Sequence, residues 1–191
     1  MKVSVFKNIF ETDDPLFVDV LKIFKRIKDG QSKEIIDRIR SEKNPDKRNE
    51  LKKRLPSICF SGRFGQRGAQ FLLEHSGLMC LDIDEVKNDD IEEIKECITG
   101  NEFVFGCFVS PSGHGLKVII KITPDTGNHK AQFLALEKYF NNILNKYDST
   151  KKNKKPGGKI IETQGEFLRV HIDKSGKDVN RVCYESYDPD I

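Results

Sequence analysis

The sequence has no tryptophan, no long apolar run and no strong excess of one charge. Its 33 Lys and Arg residues against 30 Asp and Glu residues give a formal net charge of +3. This balance excludes a protein that coats nucleic acid through its overall field, so that any nucleic-acid contact must be local. The lack of a signal-peptide core and of a bilayer-spanning stretch predicts a protein without a membrane partner.

Cysteine is present in an odd number and without a pairing pattern, which excludes a disulfide framework. The five cysteines are far apart, form no CxxC or Cys/His cluster, and lie mostly within apolar segments. Reduced, buried thiols in a cytoplasmic protein are the expected interpretation, and a structural zinc site is disfavoured. These cysteines are Cys59, Cys80, Cys97, Cys107 and Cys183.

The first 55 residues predict a largely helical N-terminal part of a single 191-residue domain. A strand is predicted at 2–8, and Asp14 followed by Pro15 is typical of a helix start. Apolar residues then recur at helical spacing as far as Ile27. Two further helices are predicted at 32–41 and 45–54. The second is strongly basic, for which a solvated helix face is favoured over a nucleic-acid contact.

Residues 57–191 have the patterns of strands mixed with helices, joined partly by hairpin turns. This predicts an α+β fold in which a mixed, mostly antiparallel sheet packs with helices. Strands are predicted at 58–64, 77–84, 103–109, 116–122 and 181–188, helices at 88–98 and 128–146, and a mobile basic loop at 148–158.

The most informative motif is LDID, where Asp82 and Asp84 close an apolar strand. Because side chains alternate along a strand, both carboxylates project from one face. At about 4 Å and an effective dielectric near 20, their repulsion is about 4 kcal/mol, which favours a shared proton or a bound cation. With oxygen ligands and no nearby His or Cys, the cation would be Mg²⁺ or Mn²⁺. A solvated strand end is the alternative.

A second motif is the turn SPSGHG at residues 110–115, between two apolar strands. Glycines on both sides of His114 leave backbone N–H groups free and allow a phosphate to approach closely. Ser112 lies in the same turn, and Lys117 just beyond it could supply a positive charge. The alternative is a tight hairpin turn with an exposed histidine.

A third motif is SYDPD at residues 186–190, in which Asp188 ends another apolar strand. A third carboxylate at a neighbouring strand end would complete a two-metal site for nucleotidyl transfer. Asp190, beyond the proline, is an alternative third ligand, and an aspartate that simply begins a turn is the structural alternative. The hypothesis depends on Asp188 lying beside Asp82 and Asp84 in the folded chain.

In this order, the segments HSGLMCLDID, VSPSGHGLKVIIKI and DKSGKDVNRVCYESYDPD resemble the VirE N-terminal domain family. That family is placed in the primase-polymerase branch of the archaeo-eukaryotic primase superfamily. The resemblance runs from about residue 57 to the C-terminus. It implies an RRM-like catalytic sheet, metal bound by Asp82, Asp84 and Asp188, and His114 on the nucleotide phosphates. It also implies the front module of a longer protein with a helicase-like region.

The activity implied by the resemblance is that of a metal-dependent primase-polymerase. Such an enzyme starts or extends a nucleic-acid chain from NTP or dNTP on a single-stranded or primed template. The residues expected to bind nucleotide are Ser112, His114, Lys117 and Arg181, and weaker candidates for template contacts are Arg63 and Arg67.

Two other functions remain open from the sequence. One is a non-catalytic module of the same fold that binds nucleotide or nucleic acid. The other is a phosphotransferase of the haloacid dehalogenase class, because residues 82–86 fit the loose pattern DxDx[T/V], whose first Asp is a nucleophile. That class needs a parallel doubly wound sheet that begins at this strand. The roughly 80 preceding residues argue against it.

Overall fold

The computed structural model describes residues 1–86, 90–152 and 171–191, without the side chains of residues 147–152 and 171. The strands in these ranges are β1 (Lys2–Phe6), β2 (Leu16–Asp19), β3 (Ser57–Cys59), β4 (Gly62–Phe64), β5 (Leu72–His75), β6 (Leu78–Asp84), β7 (Val104–Val109), β8 (Leu116–Lys121), β9 (His171–Ile172) and β10 (Cys183–Tyr184). The helices in the same ranges are α1 (Val20–Lys28), α2 (Lys33–Ser41), α3 (Pro45–Lys52), α4 (Ile91–Thr99) and α5 (His129–Lys152).

These strands form two four-stranded sheets and a two-stranded hairpin. The first sheet has the order β10-β3-β1-β2, the second has the order β7-β8-β6-β9, and β4 pairs with β5. Every pairing is antiparallel. The predicted α+β class with mostly antiparallel strands is therefore confirmed.

In the second sheet, alternation of side chains divides β6 into two faces. Met79, Leu81 and Ile83 are buried against apolar residues of α4 and α5. Residues 78, 80, 82 and 84 consequently lie on the other face. There, Leu78 joins Phe108 and Ile119 of the neighbouring strands in a core shared with the first sheet and α1. Strand β6, which ends in Asp82 and Asp84, therefore lies between the core formed with α4 and α5 and the core shared with the first sheet.

The N-terminal part differs from the prediction, because it contributes two strands as well as helices. Residues 16–19 form edge strand β2, which pairs with β1. Helix α1 begins only after Asp19, whose side chain accepts a hydrogen bond from the Leu21 N–H at 2.9 Å. Asp14 has a φ of 48°, which is unlike the extended conformation of an N-cap residue. The apolar spacing after Pro15 fitted a helix, but strand pairing with β1 prevailed.

The other predicted elements are found with shifted ends. Helices α2 and α3 match their predicted ranges closely, and β7 and β8 form the predicted hairpin. The run at 58–64 is split into β3 and β4, the strand at 181–188 is reduced to β10, and β5 and β9 were not predicted. Of the basic segment 148–158, residues 148–152 belong to α5 and the rest lie outside the described residues.

Two further observations concern membrane-spanning helices and the state of the cysteines. No helix in the described ranges combines the length and the apolarity that a bilayer crossing requires. All five cysteines are free thiols, and Cys59, Cys107 and Cys183 are buried.

The core shared by the two sheets predicts a large effect of one substitution. Phe108 is 0% exposed and its ring lies 6.4 Å from that of Phe60. We expect Phe108→Ala to lower the free energy of unfolding by about 3–5 kcal/mol in urea titrations, because the cavity lies where both sheets meet. Leu21→Ala is the control, since Leu21 is 64% exposed on α1. Equal effects of the two substitutions would contradict this role of Phe108.

Candidate functional site

Asp82 and Asp84 end β6 on the face that points away from the α4 and α5 core. Asp82 is 9% exposed, and Asp84 is half-buried. Their position follows from the alternation that buries Leu81 and Ile83. The predicted shared face of the two carboxylates is therefore found in the fold.

Strand β9 brings a third carboxylate to this place. It pairs with the end of β6, with Ile172 opposite Ile83. The next residue, Asp173, donates its backbone N–H to the Asp82 carbonyl oxygen at 2.8 Å. One carboxylate oxygen from each of Asp82, Asp84 and Asp173 lies within 4.8 Å of the other two. We refer to these three residues as the acidic triad.

Two cations contact the acidic triad. Lys117 lies opposite Asp82 on β8, and its ammonium group forms an ion pair with Asp82 Oδ2. Burial alone would lower the pKa of Lys117, but the adjacent Asp82 carboxylate offsets this effect, and the pKa is raised. Arg181 Nη2 lies 2.9 Å from Asp173 Oδ2. Lys117 and Arg181, both predicted to bind nucleotide, thus flank the acids.

Asp173 remains ionised despite its partial burial. Burial would raise the pKa of its carboxyl group, but hydrogen bonds from the Ser175 hydroxyl and N–H, with the charges of Arg181 and Lys117, lower the pKa below its usual value. The carboxylate also caps the 3-10 turn Lys174–Lys177 through the Ser175 N–H at 2.9 Å. A charged ligand is therefore available at neutral pH.

The donor atoms of the triad fit a divalent cation. Asp82 Oδ1 is buried and has no hydrogen-bond partner among the described residues, although Oδ2 of the same carboxylate is paired with Lys117. Leaving such an atom without a partner is costly unless a cation completes its contacts. Three carboxylates without sulfur or imidazole are the ligand type of Mg²⁺ or Mn²⁺.

Asp188 lies outside this triad, contrary to the prediction. Its Oδ2 accepts hydrogen bonds from Lys95 Nζ at 2.7 Å and from the Val109 N–H at 2.8 Å. Its Oδ1 accepts one from the Asp190 N–H at 3.0 Å. Asp188 is 3% exposed and Lys95 is 6% exposed. This buried ion pair joins the C-terminal segment to α4 and β7, so the third carboxylate of the group is Asp173.

The turn at residues 110–115 is fixed beside the triad by its backbone. Gly113 has a φ of +80°, which favours glycine, and the Ser110 N–H donates to the Gly115 carbonyl oxygen at 2.8 Å. A Cβ atom at Gly115 would lie 2.4 Å from the Ile83 carbonyl oxygen, so only glycine can pack this closely against the backbone of Ile83 and Asp84. The exposed His114 accepts a hydrogen bond from the Val86 N–H at 3.1 Å through its carbonyl oxygen.

A depression of about 380 Å³ opens at this turn and is lined by His114, Ser112, Arg40 and Asp188. Arg40 Nη2 donates to the Tyr187 carbonyl oxygen at 2.8 Å, and burial lowers the pKa of its guanidinium group. Ser112 Oγ lies 3.2 Å from Ser110 Oγ. His114 and Asp188 therefore line the same depression, although Asp188 does not belong to the acidic triad.

Arg63 and Arg67, the candidates for template contacts, are both engaged within the protein. Arg63 Nη2 lies 2.6 Å from Glu74 Oε2, and its guanidinium carbon lies 5.4 Å from the centre of the Phe17 ring. Arg67 Nη1 donates to the Ile9 carbonyl oxygen at 2.5 Å. These contacts tie the N-terminal segment to the β4–β5 hairpin region, and a role in template binding stays a prediction.

The turn that follows Asp173 is anchored by two histidines, which the sequence did not single out. The Gly77 N–H donates to His75 Nδ1 at 3.0 Å, so His75 Nε2 bears the proton and donates to His129 Nδ1 at 3.1 Å. His129 in turn hydrogen-bonds the Gly176 backbone. A Cβ at Gly176 would lie 2.6 Å from the Phe133 ring, so α5 packs directly on this turn.

The sequence contains a signal for Asp173 that parallels the one for Asp84. The stretch FLRVHID at 167–173 alternates apolar residues and ends in an acid, as LMCLDID does. The basic stretch before it resembles a loop, and this composition hides the strand pattern. No local signal indicates the pairing of His75 with His129, because that contact joins residues far apart in sequence.

The comparison with known families gives one match. A family model described as BT4734-like, N-terminal domain, matches residues 50–191, which include the acidic triad and the His114 turn. No curated protein and no solved structure matches the chain. This is a different family from the VirE N-terminal domain and primase-polymerase families, so the predicted resemblance is wrong. Its motifs were short local segments, which several families can share.

The histidine pair predicts that stability falls in mild acid. Burial lowers the pKa of His129 to about 4, with a further contribution from His75, whose own pKa burial also lowers. An unfolded histidine takes up its proton near pH 6.5, so between about pH 6.5 and 4 the unfolded chain binds the proton that the folded chain excludes. We expect a loss of about 2 kcal/mol in the free energy of unfolding from pH 7.5 to pH 5.

Urea unfolding at both pH values measures this loss, with His129→Gln as the comparison. Glutamine can donate to the Gly176 backbone but does not titrate. The variant should lose less stability than the wild type between the two pH values. Asp125 acts on His75 and Asp178 acts on His129, and both aspartates are present in the wild type and in the variant. A difference between the two proteins therefore reports on His129. The same pH dependence in both would contradict the assignment to His129.

Proposed function

The chain belongs to the BT4734-like N-terminal domain family, and on that premise we propose that it is a divalent-metal-dependent nucleotidyltransferase. Its proposed reaction adds nucleotides from NTP or dNTP to a nucleic-acid chain on a template. The observation on which the proposal rests is the acidic triad, in which a buried oxygen of Asp82 has no hydrogen-bond partner within the described part of the chain. The His114 turn next to the triad supports a nucleotide as the substrate.

In the proposed site, Asp82, Asp84 and Asp173 would bind Mg²⁺ or Mn²⁺. A cation bound there would lower the pKa of the attacking hydroxyl and neutralise charge on the transferred phosphate. Asp173 thereby supplies the carboxylate that the sequence hypothesis sought at Asp188. Metal-dependent nucleotidyl transfer needs carboxylates close enough together to bind the same cations. Any strand that ends beside β6 can provide the third carboxylate.

The side chains around the triad would bind the nucleotide. The imidazole of His114 is exposed on the turn that adjoins Asp84, and it would donate a hydrogen bond to a phosphate oxygen, with the Ser112 hydroxyl in the same turn. Lys117 and Arg181 already hold charges next to the acids, and both cations would be shared with phosphate oxygens once substrate enters. These groups orient the phosphate for transfer.

The arrangement of the second sheet is consistent with the proposal. Its strands and helices follow the order β6-α4-β7-β8-α5-β9, with β6 and β8 in the centre. We propose that this β-α-β-β-α-β unit is an RRM-like catalytic sheet, in which the central strand β6 bears the acids on the face that α4 and α5 do not cover. Both helices lie on the opposite face, and substrate would reach the acids at the end of β6, where Asp84 and Asp173 are partly exposed.

Two alternatives are weighed against these observations. A phosphotransferase of the haloacid dehalogenase class requires a parallel sheet around Asp82, whereas β6 is antiparallel to both of its neighbours. A non-catalytic nucleotide- or nucleic-acid-binding module is favoured by the ion pairs of Lys117 and Arg181, which already balance two of the three acids. Tight DNA binding without metal-dependent incorporation would support the second alternative.

The two candidates for the third metal ligand can be separated directly. We expect Asp173→Asn to weaken Mn²⁺ binding by about tenfold or more in isothermal titration calorimetry, since a charged ligand is lost. Asp188→Asn is the matched control and should bind Mn²⁺ like the wild type. It should instead lower the free energy of unfolding by about 3–5 kcal/mol, because Lys95 stays buried without its partner. The reverse pattern would restore Asp188 as the ligand.

The activity itself is tested by incorporation of labelled NTP or dNTP on single-stranded and primed templates with Mg²⁺ or Mn²⁺. We expect the wild type to incorporate nucleotide and the double variant Asp82→Ala/Asp84→Ala to fall to background, because the cation is no longer held. A control that removes two exposed acids, Asp13→Ala/Glu102→Ala, should keep activity. Activity that survives in the Asp82→Ala/Asp84→Ala variant would overturn the proposed function.

A further inference from the structure

Arg40, in the last turn of α2, joins the His114 turn to the C-terminal segment. Its Nη2 group donates to the Tyr187 carbonyl oxygen at 2.8 Å and to the Ser110 carbonyl oxygen at 3.4 Å. The same Ser110 oxygen accepts the Gly113 N–H at 3.0 Å, and this hydrogen bond closes the turn. One guanidinium group therefore links two backbone segments that are far apart in the sequence.

The side chain of Arg40 also packs on the turn. A Cβ atom at Gly113 would lie 3.6 Å from the Cγ, Cδ and Nε atoms of Arg40, which is ordinary van der Waals contact. Gly113 has a positive φ and brings no side chain of its own, so the backbone of the turn depends on neighbouring elements for its rigidity. The backbone of Ile83 supplies such a contact at Gly115, and the side chain of Arg40 supplies one at Gly113.

The other end of this link is fixed. The ring of Tyr187 packs on the core of α2 and α3. A Cβ atom at Gly30 would lie 3.1 Å from that ring, so the ring also lies against the turn between α1 and α2. The next residue, Asp188, donates its N–H to the Ile27 carbonyl oxygen at 3.3 Å. Arg40 thus restrains the His114 turn against a part of the backbone that is itself held in place.

The surroundings of Arg40 favour a positioning role over direct phosphate binding. The depression beside the turn is lined by Arg40 and His114, and also by the acids Glu92, Asp188 and Asp190. The positive charge of Arg40 therefore faces carboxylates of the protein, and its Nη2 group donates to carbonyl oxygens. The role that these contacts support is to orient the turn that bears His114.

We propose that Arg40 is a positioning residue, which holds the His114 turn in the orientation that ligand binding requires. Arg40 precedes residues 50–191, the range that the family model matches, so the N-terminal part of the chain would complete the candidate site. The identity of the ligand as a nucleotide rests on the proposed function. The orientation of the turn by Arg40 does not.

The test compares Arg40→Gln and Arg40→Lys with two control variants of the same helix. Arg38→Gln removes an exposed arginine, and Ile39→Val removes a methyl group from the buried core of α2. For each full-length variant, the imidazole resonances of the four histidines are recorded by NMR, and His114→Gln assigns the resonance of His114. Melting temperatures are measured, together with ATP binding in the presence of Mn²⁺ by calorimetry.

We expect the His114 resonance to shift or broaden in Arg40→Gln, because the turn loses its link to Tyr187. ATP affinity should fall about tenfold if the binding orientation of the turn is populated only a tenth as often. Arg40→Lys keeps a charged donor without the planar guanidinium group, so its affinity should lie between those of Arg40→Gln and the wild type. Arg38→Gln should match the wild type in every measurement.

The second control separates positioning from a general loss of stability. Ile39→Val should lower the melting temperature, because a buried methyl group is lost, but leave the His114 resonance and ATP affinity unchanged. If Arg40→Gln does not fold, the same shift of the His114 resonance, smaller in size, is expected in Arg40→Lys. A His114 resonance that stays unchanged in the folded Arg40 variants would overturn the proposal, as would an equal shift in Ile39→Val. A wild type that binds no ATP, with a His114 resonance that still responds to Arg40→Gln, would count only against the proposed function.

Discussion

The antiparallel pairing of β9 with the end of β6 is the constraint on which the candidate site depends. It sets Asp173 next to Asp82, although 90 positions separate them in the chain. Two carboxylates about 5 Å apart repel each other by about 3 kcal/mol at an effective dielectric of 20. The strands cannot slip to relieve this repulsion, because Ile83 and Ile172 are buried on the core side. The negative charges must therefore be balanced by neighbouring groups. The side chains of Lys117 and Arg181 supply positive charge next to Asp82 and Asp173.

The same constraint explains the close packing around the triad. On one side, Gly115 lets β8 approach the Ile83 carbonyl closely, which keeps the His114 turn beside Asp84. On the other side, the turn after Asp173 rests on α5 at Gly176 and is held by His129. Backbone groups make most of these contacts, and they move less than long side chains. The acids are thus positioned before any ligand arrives, which lowers the cost of ordering a metal site.

The contrast between Asp173 and Asp188 shows why an acid at a strand end does not suffice to indicate a ligand. Asp188 receives hydrogen bonds from Lys95, the Val109 N–H and the Asp190 N–H, so its oxygens are already occupied. A buried ion pair of this kind fixes geometry more than it adds net stability, because both charges lose their hydration. Asp188 closes the edge of β7 and anchors the C-terminal segment. Asp82, by contrast, keeps one buried oxygen to which no residue of ranges 1–86, 90–152 and 171–191 donates a hydrogen bond.

The sequence by itself determined the features that depend on local periodicity. Alternation along β6 put Asp82 and Asp84 on one face, two apolar runs and a glycine turn gave the β7–β8 hairpin with His114, and capping residues located α2 and α3. Short motifs also suggested the wrong family, because segments of a few residues are not specific. Only the tertiary structure decided that residues 16–19 form an edge strand and that Asp173 joins the triad. These outcomes depend on which strand or helix lies alongside another, and that choice is made by burial of side chains distant in sequence.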